Sequence, residues 1–139
     1  MGFLSGNLPS FNDEQLKYYL RGYFDGDGCI HFDKHNGHFI SEFYGHPKLL
    51  IDNIVNYLSM KFGIVRRCGK SKDSWQSRAG RTATAQLAEY FPYEHYMLKR
   101  KSKLLKLALE INKMKKSERI ENYNKFVVLY GVGNYVQET

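Results

Sequence analysis

A chain of 139 residues, of which 42% are hydrophobic and 15% aromatic, is long enough for one domain with its own core, which excludes a disordered tail. A formal net charge of +7 favours an anionic partner, nucleic acid before an anionic membrane surface. Two cysteines are too few for a disulfide framework and fit a reducing compartment. The chain shows no signal-peptide pattern and no apolar run long enough to cross a bilayer. We therefore expect a soluble intracellular protein of the cytoplasm, the nucleoid or an organelle matrix, with no membrane partner.

The first part of the chain predicts a helix followed by a β-hairpin. The helix should begin at about residue 12, because Asn12 is a suitable N-cap and acidic residues follow it. It should stop at the acidic segment that begins with Asp25. Strands are expected over 29–35 and 38–45, since Asn-Gly at 36–37 is a strong hairpin signal.

The rest of the chain predicts a second helix, a second hairpin and further helices. Apolar residues follow a helical period over 48–62, and Pro92 ends a short helix. The predicted elements are a helix over 48–62, strands over 64–68 and 74–84, and helices over 85–91, 98–114 and 118–130. The order α-β-β-α-β-β-α predicts an α+β fold, with helices packed on one face of a four-stranded antiparallel sheet. We expect a single domain over residues 1–139, with a core over about 12–114 and a C-terminal helix over about 118–130.

An acidic segment, DGDG at 25–28, stands at the predicted end of the first helix. A helix-terminal turn accounts for the glycines, but two carboxylates there face the negative end of the helix dipole unless a cation offsets them. An EF-hand loop would place Tyr23 and Lys34 at its first and twelfth positions, where oxygen ligands are required. That calcium loop is excluded, and a turn or another metal site remains.

Residues 20–28, with the sequence LRGYFDGDG, resemble the LAGLIDADG signature, and the order of predicted elements extends the resemblance over about residues 14–112. The chain is similar to homing endonucleases that carry a single motif. The resemblance implies a homodimer that hydrolyses double-stranded DNA at a long, roughly palindromic site, encoded within a mobile intron or intein. It also implies that the sheet lies along DNA as a saddle. The alternative on the same fold is a non-cleaving nucleic-acid-binding protein, such as an intron maturase or a DNA-binding regulator.

Two glycines in this segment suit a contact between helices. Gly22 and Gly26 are four residues apart and therefore share a helix face, where they allow close approach of a second helix. The resemblance implies that this seam joins two copies of the chain and includes Leu20 and Tyr23. Arg21 stands where the family has a small residue, so tight pairing requires its side chain to point away from the seam.

The resemblance also implies the active-site residues. Asp27 of each copy, with the Gly26 carbonyl, would hold Mg²⁺ or Mn²⁺ at the scissile phosphate, and no small-molecule cofactor is expected. Lys99 matches the family's active-site lysine, and Lys101 replaces it if the helix register differs. His46 stands near the position of the family's water-binding side chain after the second strand.

Strand alternation separates a core face of the sheet from a DNA-facing one. Ile30, Phe32, Phe39 and Phe43 are expected to face the core. Side chains of the opposite alternation, with further polar and basic positions suited to DNA contact, are predicted to bind DNA. These are His31, Asp33, His35, His38, Ile40, Glu42, Tyr44, Arg66, Cys68, Gln76, Arg78 and Lys101.

Four residues of the first hairpin raise the question of a zinc site: Cys29, His31, His35 and His38. In one strand, His31 and His35 would lie about 13 Å apart, too far to share an ion. The sequence therefore does not predict a structural zinc site from these four residues.

Overall fold

The structure is a computed structural model that describes residues 7–62, 68–71, 74–130 and 136–137. Its elements in chain order are α1 (Asp13–Asp27), β1 (Gly28–Asp33), β2 (His38–Gly45), α2 (Lys48–Phe62), β3 (Cys68–Ser71), β4 (Ser74–Ala79), α3 (Arg81–Tyr90), α4 (Lys99–Ile111), α5 (Lys116–Tyr130) and β5 (Val136–Gln137). Among the described residues, no helix has both the length and the apolar character needed to cross a membrane.

The sheet has the strand order β3-β4-β2-β1-β5. Strands β1 to β4 pair antiparallel, which confirms the predicted four-stranded antiparallel sheet of an α+β fold. The short strand β5 adds to β1 in parallel and was not predicted, because two residues carry no readable alternation. The predicted strand over 64–68 falls outside the described residues except for its last position.

The first hairpin turns over four residues rather than two. β1 ends at Asp33, which pairs with His38, so the predicted strand to His35 is two residues too long. The Asp33 carboxylate accepts hydrogen bonds from the backbone N–H groups of His35 and Asn36, at 2.9 and 3.2 Å. Such a bond pattern holds the chain in a turn, and Gly37 takes the left-handed φ of 73° that completes it.

The second hairpin is also shorter than predicted. β4 ends at Ala79 rather than at Thr84, and α3 begins at Arg81. Thr84 is fully buried inside this helix, where its hydroxyl bonds the Ala79 carbonyl and Ser41 Oγ, each at 2.9 Å. β-Branched threonines favour a strand locally, but these buried hydroxyl contacts stabilise the helix.

The core lies between one face of the sheet and the helices. Ile30, Phe32, Phe39 and Phe43 point into it, each at most 5% exposed, which confirms the predicted inward alternation. Tyr123 of α5 stacks on Phe32 with ring centroids 4.0 Å apart. Large aromatic rings of this kind contribute much of the buried apolar area and fix the sheet against the helices.

Asn112, directly after α4, joins three elements through one buried side chain. Its amide oxygen accepts from the Phe39 N–H at 2.8 Å, and its NH₂ group donates to the carbonyls of Phe39 and Arg81, both at 2.9 Å. Asn112 is 2% exposed, so water cannot replace these partners. The side chain therefore fixes α4 against β2 and α3.

We expect Asn112→Ala to lower the free energy of unfolding by about 2–3 kcal/mol, because it leaves buried backbone groups without partners. Asn122→Ala is the matched control, since Asn122 bonds the Glu118 carbonyl at the surface of its own helix. That change should cost less than about 0.5 kcal/mol. Urea unfolding followed by circular dichroism gives both values. Equal losses in the two variants would contradict the bridging role.

Candidate active site at the end of the first helix

Asp27 is the last residue of α1, and it is exposed. It lines an open hollow of about 480 Å³ together with Tyr23, Tyr44, Gly45, His46, Leu50 and Ser74. Two of the three predicted catalytic residues, Asp27 and His46, therefore share one hollow. They meet because β2 runs antiparallel to β1 and returns the chain to the end of α1, with Gly28 opposite Phe43.

Lys101, in the first turn of α4, caps the C-terminal end of α1. Its ammonium donates to the carbonyls of Phe24, Asp25 and Gly28 at 2.6, 2.8 and 2.7 Å. The last carbonyls of a helix have no partners within the helix, and a cation also meets the negative end of the dipole there. α1 has no basic residue in its own last turn, so α4 supplies the cation.

The burial of Lys101 corrects its predicted contact with DNA. The residue is 4% exposed, and desolvation lowers the pKa of its ammonium. An ammonium has three donors, and three carbonyls of this chain already accept from them. Lys101 therefore binds the backbone on either side of Asp27 and does not contact DNA.

Arg21 is fully buried and ties α1 to the segment before α4. Its guanidinium bonds Asp25 Oδ1 at 2.9 Å, the Pro92 carbonyl at 2.8 Å and Ser102 Oγ at 2.6 Å. The other carboxylate oxygen of Asp25 accepts from the Leu98 N–H at 3.1 Å. Asp25 is thus a structural acid, and Arg21 points into the protein, as a tight helix seam requires.

Lys99 is not brought to the hollow that Asp27 lines. It lines a separate hollow with Tyr93, Glu94, His95, Met97, Ser102, Lys103 and Lys106. Within one chain, the structure therefore places Lys101 and not Lys99 against the end of α1, and the active-site role of Lys99 stays a prediction.

Tyr23 forms part of the floor of the Asp27 hollow. Its hydroxyl donates to the Tyr44 carbonyl at 2.7 Å, and a Cβ at Gly45 would overlap that hydroxyl, so a side chain at position 45 would displace Tyr23. Burial, and after it the charge of Asp27, raises the pKa of Tyr23 to about 12. The phenol therefore stays protonated at neutral pH and serves as a donor.

The exposed face of α1 carries Gly22 and Gly26. A Cβ at either position would meet nothing within 4 Å, so this face is open in the single chain. Leu20 is fully buried in the core, so the structure corrects the predicted seam at this position. Tyr23 is half-buried and bonds the Tyr44 carbonyl, and its place in the seam stays a prediction. The open face consists of the two glycines and Tyr18, which is 38% exposed one turn earlier.

The sheet face opposite the core carries the predicted DNA-binding residues of β1, β2 and β4. Their cross-strand sets are Cys29–Glu42–Arg78, His31–Ile40, Asp33–His38 and Tyr44–Gln76. Three of them are too deeply buried to contact DNA, because His31 and Ile40 are each 5% exposed and Glu42 is 2% exposed. The structure therefore corrects the predicted DNA contacts at these three residues.

Other predicted contacts remain accessible on the same face. The side chain of Arg78 is 57% exposed, although it also pairs with Glu42 at 3.0 Å. His35 lies in the exposed turn. The half-buried members of the set are Asp33, His38, Tyr44 and Gln76. Arg66 and the side chain of Cys68 lie outside the described part of the chain.

One group of side chains was missed by sequence reasoning. Cys29, His31 and Glu42 place one possible metal-ligating atom each within 4.8 Å of one another. Glu42 is the β2 partner of Cys29. The strand register is the signal that adds Glu42 to Cys29 and His31, because it pairs Cys29 with Glu42 across the hairpin.

The comparisons with known proteins agree on the fold. The family model described as LAGLIDADG-like domain matches residues 14–127. No curated protein matches the chain.

Three solved structures are similar to this chain, each at 18% identity. The LAGLIDADG meganuclease I-AabMI, bound to uncleaved DNA, has a TM-score of 0.54, with 86% of this chain and 42% of that chain covered. The homing endonuclease I-TnaI has a TM-score of 0.52, with 84% and 88% covered. The homing endonuclease I-CvuI, in complex with its target in the presence of Ca, has a TM-score of 0.52, with 91% and 85% covered. The chain thus spans less than half of I-AabMI and most of the other two.

We expect Lys101→Met to lower the free energy of unfolding by about 3 kcal/mol, because three carbonyls lose their shared donor. Lys99→Met is the matched control, since Lys99 is an exposed residue of the same helix turn, and it should cost less than about 0.5 kcal/mol. Thermal and urea unfolding measure both changes. A Lys101→Met protein as stable as Lys99→Met would contradict the capping role.

Proposed function

As the chain belongs to the LAGLIDADG family, we propose that it is a site-specific endonuclease of double-stranded DNA that acts as a homodimer with a divalent metal ion. The placement of Asp27 carries this proposal. Its exposed carboxylate ends α1, shares a hollow with His46 and lies one residue from the open glycine face. The related fold of I-AabMI is bound to DNA, and that of I-CvuI is in complex with its target.

A second copy of the chain is the proposed occupant of the Gly22–Gly26 face. Glycines four residues apart let two helix backbones approach closely. Symmetric packing of α1 against α1 brings equivalent residues near the two-fold axis, so the two Asp27 carboxylates approach each other. Like charges at such a distance repel unless a cation lies between them.

The groups at this helix end fit a hard divalent cation. Mg²⁺ or Mn²⁺ prefers carboxylate and carbonyl oxygens and keeps several waters. Asp27 offers the carboxylate, and the Gly26 carbonyl is not among the three that Lys101 binds. When bound, such an ion stabilises charge on the attacking and leaving oxygens of a phosphodiester.

His46 and Lys101 have different proposed roles around this centre. His46 lines the hollow, where its imidazole can hold a water or accept a proton from it. Lys101 acts through the backbone, because it fixes the carbonyls on both sides of the Gly26–Asp27 pair. It is therefore a positioning residue rather than a catalytic one.

The face of the sheet opposite the core is the proposed DNA surface. Arg78 and Gln76 of β4 have side chains that form paired hydrogen bonds with guanine and adenine edges. His35 in the exposed turn adds a donor, and the net charge of +7 attracts phosphates. Two symmetry-related copies present the same face, so the DNA site is expected to be long and roughly palindromic.

A non-cleaving nucleic-acid-binding protein, such as an intron maturase or a regulator, is the alternative on this fold. It would use the same sheet face and the same dimer. A carboxylate at a phosphate-binding surface repels DNA unless it holds a metal ion. The exposure of Asp27 therefore favours the nuclease.

Asp27→Asn should abolish cleavage and preserve DNA binding. A target is first selected by binding from a randomised DNA library, and its cleavage is then measured with Mg²⁺. We expect a rate loss of about 10³-fold or more, since metal charge stabilisation is worth several kcal/mol. Asp52→Asn makes the same change of charge at a surface pair with Lys48 and should cleave at the native rate.

The outcomes of this experiment separate the two functions. Tight binding by the native chain without any cut would leave the non-cleaving alternative. Cleavage by Asp27→Asn at the native rate would overturn the assignment of the metal site.

Gly22→Leu should convert the dimer to a stable monomer. A Cβ at this position meets nothing within the chain, and leucine favours a helix over glycine by about 0.8 kcal/mol. The Gly22→Leu monomer therefore keeps the stability of the native chain, whereas the leucine side chain blocks close approach of two α1 helices. Sedimentation velocity at micromolar concentration measures the change. Lys125→Leu, which adds the same side chain to an exposed position of α5, should leave a dimer. A native chain that sediments as a monomer would contradict the seam.

A further inference from the structure

We propose that Cys29, His31 and Glu42 bind a zinc ion on the outer face of the sheet, at a site separate from Asp27. The β-ladder places these side chains together. Cys29 and His31 lie on the same side of β1, and Glu42 is the β2 partner of Cys29. Thiolate, imidazole and carboxylate are the three ligand types that zinc takes in proteins, whereas Mg²⁺ prefers oxygen ligands alone.

The separations are close to those around a tetrahedral ion. A Zn–S distance of about 2.3 Å and a Zn–N distance of about 2.0–2.1 Å place the sulfur and nitrogen about 3.6 Å apart at the tetrahedral angle. Cys29 Sγ and His31 Nδ1 are 3.6 Å apart. All three ligand atoms lie within 4.8 Å of one another, so the carboxylate needs to approach by at most about 1 Å. Three protein ligands leave the fourth position to water.

The surroundings of Glu42 resemble the outer shell of a metal ligand. Arg78 donates from Nε to Glu42 Oε2 at 3.1 Å, and its Nη2 lies 3.0 Å from the same oxygen. Metal-ligating carboxylates are themselves hydrogen-bonded in this way, which fixes their orientation. Glu42 and His31 are also buried, and the ion pair with Arg78 compensates the buried charge of Glu42 and orients its carboxylate.

A bound zinc ion would link two side chains of β1 to one of β2, in the part of the sheet that directly follows α1. The Cys29 thiol gives up its proton when the ion binds, so that the thiolate and the Glu42 carboxylate balance the two positive charges. The ion binds the folded chain and not the unfolded one, so it raises the melting temperature in a concentration-dependent way. Neither effect depends on cleavage of DNA.

Titration of the metal-free protein with Co²⁺ and Zn²⁺, without DNA, tests the site. In a Cys68→Ser background Cys29 is the remaining cysteine, so charge-transfer absorption from thiolate to cobalt reports Cys29 alone. One equivalent of Co²⁺ should produce that absorption, Zn²⁺ should remove it, and Zn²⁺ should protect Cys29 from alkylation. Calorimetry should show Zn²⁺ affinity reduced about 100-fold or more by Cys29→Ser and by His31→Gln, since loss of an outer partner alone costs about 10–100-fold.

His35→Gln is the matched control, because His35 lies in the exposed turn outside the cluster, and its Zn²⁺ affinity should be native. Absence of thiolate–cobalt absorption, or equal Zn²⁺ affinity in Cys29→Ser and the native chain, would overturn the proposal. If the ligand variants fail to fold, the absorption and alkylation of the Cys68→Ser protein decide the question.

Discussion

The position of Asp27 depends on one buried ammonium. Lys101 reaches the carbonyls of Phe24, Asp25 and Gly28 from a helix that lies more than 70 residues further along the chain. A helix end with unpaired carbonyls frays into solvent, but here a cation from α4 holds the last turn and the first residue of β1 together. Arg21 adds a second connection between α1 and α4, because its guanidinium bonds Ser102 Oγ at 2.6 Å. The Asp27 carboxylate therefore projects from a rigid end of α1.

The same alternation of side chains that builds the core also sets the chemistry of the outer face. Phe32 and Phe39 are cross-strand partners that pack beneath the sheet, and the next pair along the ladder, His31 and Ile40, points the other way. The outer face thus gathers sulfur, nitrogen and oxygen donors around Cys29, whereas the donors of Asp27 and Gly26 at the end of α1 are oxygens. Because zinc accepts the softer set and magnesium prefers the harder one, two neighbouring places on one chain suit different metals.

The sequence predicts β2 and α2 at the bounds that the structure shows, because strand alternation and helical period are both strong there. It does not predict the hairpin register. A two-residue turn at 36–37 would pair Cys29 with Tyr44, but the Asp33 carboxylate closes a four-residue turn, and Cys29 pairs with Glu42. A shift of two keeps every side chain on its face and changes only its neighbours. The capping of α1 by Lys101 was not predicted either, since which lysine meets α1 is decided by packing between distant segments.

Disulfide trapping across the proposed seam tests most directly whether two α1 helices meet beside their Asp27 residues. In a background with Cys29 and Cys68 replaced by serine, a cysteine is introduced in place of Gly22 or of Gly26. A disulfide requires Cα atoms less than about 7 Å apart, which two helices in glycine-mediated contact satisfy. We expect a covalent dimer to form under mild oxidation for at least one of these variants, and none for Gly80→Cys, whose position is equally open but lies at the start of α3. If Gly22→Cys and Gly26→Cys both stay monomeric under oxidation, as Gly80→Cys does, the result would contradict the contact between two α1 helices.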